Sequence, residues 1–335
     1  NGKLISEVSF FVYSADINIK NNSKVIFEYE TAIQNPNFDI INNSTAVSNN
    51  TLGIFDGDSW PVIEEDNDFS GGALSLDNNS TLDVKGEAEF ENTDVLINHG
   101  STAKIDNLTT YYDSKIYVVN DSKLEINNAE FDDGAHLIVK DDSNTTINGK
   151  LTVRDSGTIK IAKSNLNVGG VADFRDSALV VQNGSKVMFN DKFTMRNKDK
   201  KSIIMLDNGS EINIKGDFEN HGVIYYGASA DSAPKITVDG KTTLKDTTEI
   251  GIYATSGDIS NLTQAVFLES KEAIENKATD ENIYAMYFDP DNKDANEEGL
   301  VKYDQNIVDA ILKLSEDRKK LLVQILMSDY MKNKL

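Results

Sequence analysis

No cysteine occurs in the 335 residues, which excludes disulfides, zinc–thiolate centres and thiol nucleophiles together. Histidine occurs only at His99, His136 and His221. None is paired at i, i+4, so no metal triad is legible and no catalytic role is assigned. Positive charge is also short: 33 Lys and Arg against 55 Asp and Glu leave a net charge of −22. An anionic chain repels phosphate instead of releasing its counterions, which argues against a nucleic-acid partner. The same sign argues against docking on an anionic leaflet. No apolar run approaches the roughly 18 residues of a spanning helix, so no membrane insertion is expected of this fragment. The chain begins Asn1-Gly2-Lys3, which reads as a processed or excised piece. Phosphate loops and Gly-x-Ser-x-Gly elbows are missing.

What is present is a repeat. A pair of Asn, Asp or Gly residues precedes a Ser and then an apolar-x-apolar strand, as in Asn120-Asp121-Ser122 and Asp141-Asp142-Ser143. Serines fall at 23, 44, 80, 101, 122, 143, 164, 185 and 210, and every step from Ser80 to Ser185 is 21 residues. The step from Ser44 to Ser80 is one period plus a 15-residue insertion, since 80 − 44 = 36.

Three alternating strands fit each period. Leu82/Val84, Leu124/Ile126 and Leu166/Val168 follow the Ser by two and four residues. Ala88/Phe90, Thr109/Tyr111 and Leu151/Val153 form a second set, and Val95/Ile97, Ile116/Val118 and Leu137/Val139 a third. Alternation of period two puts one face in and one face out. A bend column, Gly86, Asn107, Asn128, Gly149, Gly170, Asp191 and Gly216, holds residue types that tolerate left-handed backbone angles. Three strands and three corners per 21 residues describe a coil of an all-β solenoid, a parallel β-helix. The phase slips near Phe131 and at Ile159/Ile161, where bulges are expected.

The β-helix is assigned to residues 1–255, with an insertion at about 50–71. A loop leaving a solenoid costs little entropy and is a place for function. Phe55, Asp56, Asp58, Trp60, Glu64 and Asp66 are its candidate ligand-binding residues, and its carboxylates make calcium the one cofactor it suggests. Periodicity fades after Ala254, and residues 256–335 read as a smaller, mostly α-helical cap or assembly region. Its plainest helix runs from Asp304 to Asn333, with Ile311, Leu314, Leu322 and Ile325 as a candidate partner face. Such a region would cover the open end of the solenoid.

Three of the four arginines, Arg154, Arg175 and Arg196, are spaced by 21 beside Asp155, Asp176 and Asn197. The spacing predicts a column, which is either an ion-pair ladder or a face that recognises carboxylated sugars. No isolated carboxylate pair stands out for acid/base work, so no catalytic or metal residue is assigned and the chain is not read as an enzyme.

The phrases Asn79-Ser80-Thr81-Leu82-Asp83-Val84-Lys85-Gly86 and Asn208-Gly209-Ser210-Glu211-Ile212-Asn213-Ile214-Lys215-Gly216 resemble coils of type V secreted passenger domains. These are the exported parts of autotransporters and of two-partner-secreted, haemagglutinin-like adhesins of Gram-negative bacteria. The resemblance covers about residues 5–250. It implies a right-handed β-helix displayed on, or shed from, the bacterial surface, and the lack of cysteine agrees with export of an unfolded passenger. The expected function is that of an adhesin fragment binding a host glycan or protein without catalysis. The alternatives are a vacuolating-type toxin passenger or a self-assembling surface protein, and then a polysaccharide lyase or hydrolase working along the arginine face.

Overall fold

The recurrent phrase folds as a left-handed pair. Asn42 and Asn43 have φ of 58° and 60°, Asn120 and Asp121 54° and 61°, and Asp141 and Asp142 57° and 61°. Asn and Asp tolerate this region because their short polar side chains bond locally. Two such residues turn the chain sharply and return it to an extended strand at the Ser.

The structure, a computed structural model, describes all residues except 1, 14–15, 35–36, 56–61, 64–68, 71–73, 200, 208, 230–232, 257–264, 290, 292–299, 303–307 and 328–335. The chain forms two compact units, Asn1–Ala172 and Asp173–Leu335. Each is a parallel β-solenoid, and among the described residues no α-helix occurs. The turns are of ~21 residues through the first unit and mostly longer in the second, as from Ala178 to Ile203 and from Ile236 to Leu268.

In the first unit each residue lies beside its equivalent one turn on, as Thr81 beside Thr102 and Thr102 beside Lys123. The first two strand positions of a turn run on as single bent strands, Thr81–Glu91, Thr102–Tyr111 and Lys123–Phe131. The third position stacks separately, as Asp94–Ile97, Lys115–Val118 and His136–Lys140. Inward side chains stack on their equivalents: Leu82, Val84, Ala88 and Phe90 are all buried. One turn has too little inward apolar surface to stand alone, and stacking supplies the rest.

The bend column differs from expectation in its physical cause. Its glycines do not have left-handed φ; they are needed for close approach. A Cβ on Gly170 would lie 2.8 Å from the Gly149 backbone, and one on Gly86 2.9 Å from the Asn50 backbone. A second left-handed corner lies elsewhere, at Asn92, Tyr112-Asp113, Asp133-Gly134, Asp155-Ser156 and Asp176.

Corner length also changes the inward set. Asp106 and Asn107 alone separate Ile105 from Leu108, so Leu108 and Thr110 face in, not Thr109 and Tyr111. The slip near Phe131 is taken up by a third corner residue: Lys123 pairs Asn144, but Ala129 pairs Leu151. A corner, not a strand bulge, absorbs it.

In the second unit the parallel ladder continues past Ala254, with Ile250 beside Ile283 and Ile236 beside Leu268. Phe193 stacks between Phe189 and Phe218, with ring centroids at 4.2 and 5.5 Å. The expected helix over Asp304–Asn333 is corrected by strands. Val308–Leu314 and Lys320–Met327 form an antiparallel hairpin, and its second strand lies antiparallel on Ala265–Ser270. Leu314 faces Leu321 across the hairpin, and Ile311 faces Gln324. A helix buries an apolar face but offers no backbone groups to a sheet edge, whereas a strand satisfies both needs. Ser315 shapes the turn by accepting the N–H groups of Lys319 and Lys320 at 3.2 and 3.0 Å. Of the proposed partner face, Ile311, Leu314 and Leu322 are half-buried in this hairpin, and the Ile325 side chain lies outside the described residues.

Candidate functional site

The outward positions of most turns are polar, as alternation requires. The first unit nevertheless carries several outward apolar side chains, among them Leu4, Val8, Tyr112 and the Leu96–Tyr117–Ile138 column, and one group of them is aromatic and lines a cleft. Strands Phe10–Tyr13, Thr31–Gln34 and Leu52–Phe55 stack in parallel register, so that Tyr13, Gln34 and Phe55 form one outward column. Phe11, Ala32 and Gly53 form the column beside it. Phe11, Tyr13, Ala32, Gln34 and Phe55, with Val12, line a cleft of about 250 Å³. Phe11 and Tyr13 are each 69% exposed. The Phe55 ring folds back over Gly53, where a Cβ would lie 2.5 Å from it. Glycine at 53 is therefore what lets the ring lie flat against the sheet. The small side chain of Ala32 keeps its column open between Phe11 and the Phe55 ring.

The next turn closes the cleft with acid. Glu89 lies beside Gly53 and Glu91 beside Phe55. The Tyr111 hydroxyl donates to Glu89, and burial and then that bond push the phenol above its ordinary range. Phe55 is thus the one insertion candidate that the structure brings into a site. Asp56, Asp58, Trp60, Glu64 and Asp66 lie outside the described residues, so the calcium expectation falls there too. Phe11, Tyr13 and Gln34 were missed by sequence reasoning because they are far from the insertion along the chain. Their signal was arithmetic: 13, 34 and 55 differ by 21.

Two of the three column arginines, Arg154 and Arg196, are committed to carboxylates. In the first unit Arg154 pairs with Glu130 and, at 3.1 Å, with Asp132. In the second, Arg196 holds Asp173 through two nitrogens, Nε lying 3.0 Å from Oδ1. Arg175 ends strand Ala172–Arg175, half-buried. The acids that hold Arg154 and Arg196 are strand residues and a corner neighbour, not the Asp155/Asp176 column. Asp176 instead accepts the Lys198 N–H at 2.6 Å and closes a loop.

Among the described residues one trio of acids, Asp132, Asp133 and Asp155, brings carboxylate oxygens within 4.8 Å of one another. Burial, and then the charges of its neighbours, raise Asp132. Arg154 supplies one positive charge there, shared between Asp132 and Glu130, so the trio is only partly compensated. His99 lies 2.7 Å from Asp77 and His221 3.1 Å from Glu219, both at the surface. His136 shares a column with Lys115 and Asp94. Asp94 is only 7% exposed, and burial pushes it up to about 6.

Comparison with models of known protein families found no match, and comparison with curated proteins by sequence found none either.

Proposed function

We propose that the chain is a fragment of a bacterial adhesin, displayed at or released from the cell surface, which binds host glycans or proteins without catalysis. One observation carries the reading: Phe11, Tyr13 and Phe55 line one aromatic cleft on the outer face, with Phe11 and Tyr13 largely exposed. Exposed apolar patches of this kind mark interaction sites, and a solenoid by itself is silent about function. A right-handed coil and type V export belong to the same proposal, supported by the 21-residue phrase and the lack of cysteine. The lyase or hydrolase reading has less support, because two of the three arginines it needs for an acidic polymer, Arg154 and Arg196, are already paired within the protein.

The test is binding of the whole chain to host cells, repeated with a Phe11→Ser/Tyr13→Ser double variant and with residues 56–71 replaced by a short linker. Saturable binding that the double variant loses, at an unchanged melting temperature, supports the reading. Binding indifferent to the double variant moves the site elsewhere, and no binding at all overturns it.

A further inference from the structure

Resting on the adhesin reading, we infer that the cleft takes a single neutral pyranose unit, such as the end residue of an uncharged glycan. Size is the first argument. At about 250 Å³ the cleft lies just below the ~300–1,000 Å³ of ordinary small-molecule sites, which suits one ring better than a polymer. The exposed faces of Phe11 and Tyr13 form the cleft's apolar wall, because the Phe55 ring is folded over Gly53 and Gln34 occupies the turn between Tyr13 and Phe55.

Chemistry is the second argument. Phe11 and Tyr13 offer ring faces whose negative quadrupole favours the axial C–H bonds of a sugar. Gln34, between Tyr13 and Phe55 in the column, carries both a donor and an acceptor, the pair a vicinal diol needs. The Tyr13 hydroxyl adds another of each.

Charge is the third argument and selects among sugars. The turn beside the cleft presents Glu89 and Glu91, whereas Glu130, two turns further on, is already met by Arg154. Among the described residues no lysine or arginine lines the cleft. A sugar carboxylate would be placed beside like charge with no cation to meet it, at a cost that an uncharged sugar avoids.

The experiment uses the full chain and saturation-transfer NMR with methyl glycosides of glucose, galactose, mannose and N-acetylglucosamine. The methyl glycoside of glucuronic acid is the charged counterpart of the first. At least one neutral glycoside should bind, with Tyr13→Ala and Gln34→Leu each weakening it about tenfold. Phe11→Tyr, which keeps the ring, should retain binding and guards against a folding artefact. The inference is overturned if glucuronide binds as well as glucoside, if Tyr13→Ala has no effect on a sugar that binds, or if no glycoside binds. Cell binding that needs the cleft while no glycoside binds would overturn the sugar and leave the adhesin. Loss of both would overturn the two together.

Discussion

The backbone N–H of Ser122 donates to the hydroxyl of Ser143, one turn on, at 3.1 Å. Ser80 does the same to Ser101 at 3.1 Å and Ser143 to Ser164 at 3.2 Å. Where the hydroxyl also donates, it reaches a carbonyl three residues back, as Ser80 to Asp77 at 2.7 Å. The repeated serine is thus a hydrogen-bonding rung, buried where the left-handed pair rejoins the strand.

Removing one rung leaves a buried donor unsatisfied. Ser143→Ala takes away the acceptor of the Ser122 N–H at a position with no exposure. A loss of about 1–3 kcal/mol is expected, read from urea unfolding midpoints. A change too small to measure would show that the rung is not a stabilising contact.

Asp94 makes stability depend on pH. Burial raises it from 3.8 to about 6, with nearby Lys115 opposing the shift. A raised folded-state value means that its contribution is present below about pH 4 and is lost as pH rises through about 6. Asp94→Asn is therefore expected to stabilise the chain at pH 7, by about 1–3 kcal/mol, and to make little difference near pH 3.5. An equal effect at both pH values would contradict this account.

Two glycines of similar appearance should behave oppositely. Gly170→Ala drives a Cβ to 2.8 Å from backbone and is expected to cost about 1–3 kcal/mol. Gly184 has φ of 71° with nothing near its missing Cβ, and the equivalent position is Asp121 or Asp142 in other turns. Gly184→Asn should fall within about 0.5 kcal/mol of the parent. Thermal melts of the two variants would separate close approach from backbone conformation.

The C-terminal hairpin covers the edge of strand Ala265–Ser270. Leu321, 1% exposed, anchors it beside Leu268. Leu321→Asp should detach the hairpin and expose that edge, giving association seen by light scattering as concentration rises. A variant that stays as disperse as the parent would argue that the edge is protected by other means.

The parallel solenoid and its period were legible in the chain alone. Serines 21 residues apart, most of them behind a pair of Asn, Asp or Gly, can be satisfied together only if turns stack in register. The same local chemistry is repeated, so local reading suffices. Three matters needed the tertiary structure. The tail's apolar residues at 311, 314, 322 and 325 fit a helix or a hairpin equally, and the unsatisfied edge of Ala265–Ser270 decides for strands. Whether Leu108 or Thr109 faces inward depends on a corner shortened by one residue, which only packing reveals. The cleft unites Phe11 and Tyr13 with Phe55, more than 40 residues away in the chain. Stacking of turns turns sequence distance into a few ångströms, and a patch that crosses turns exists only once the turns are stacked.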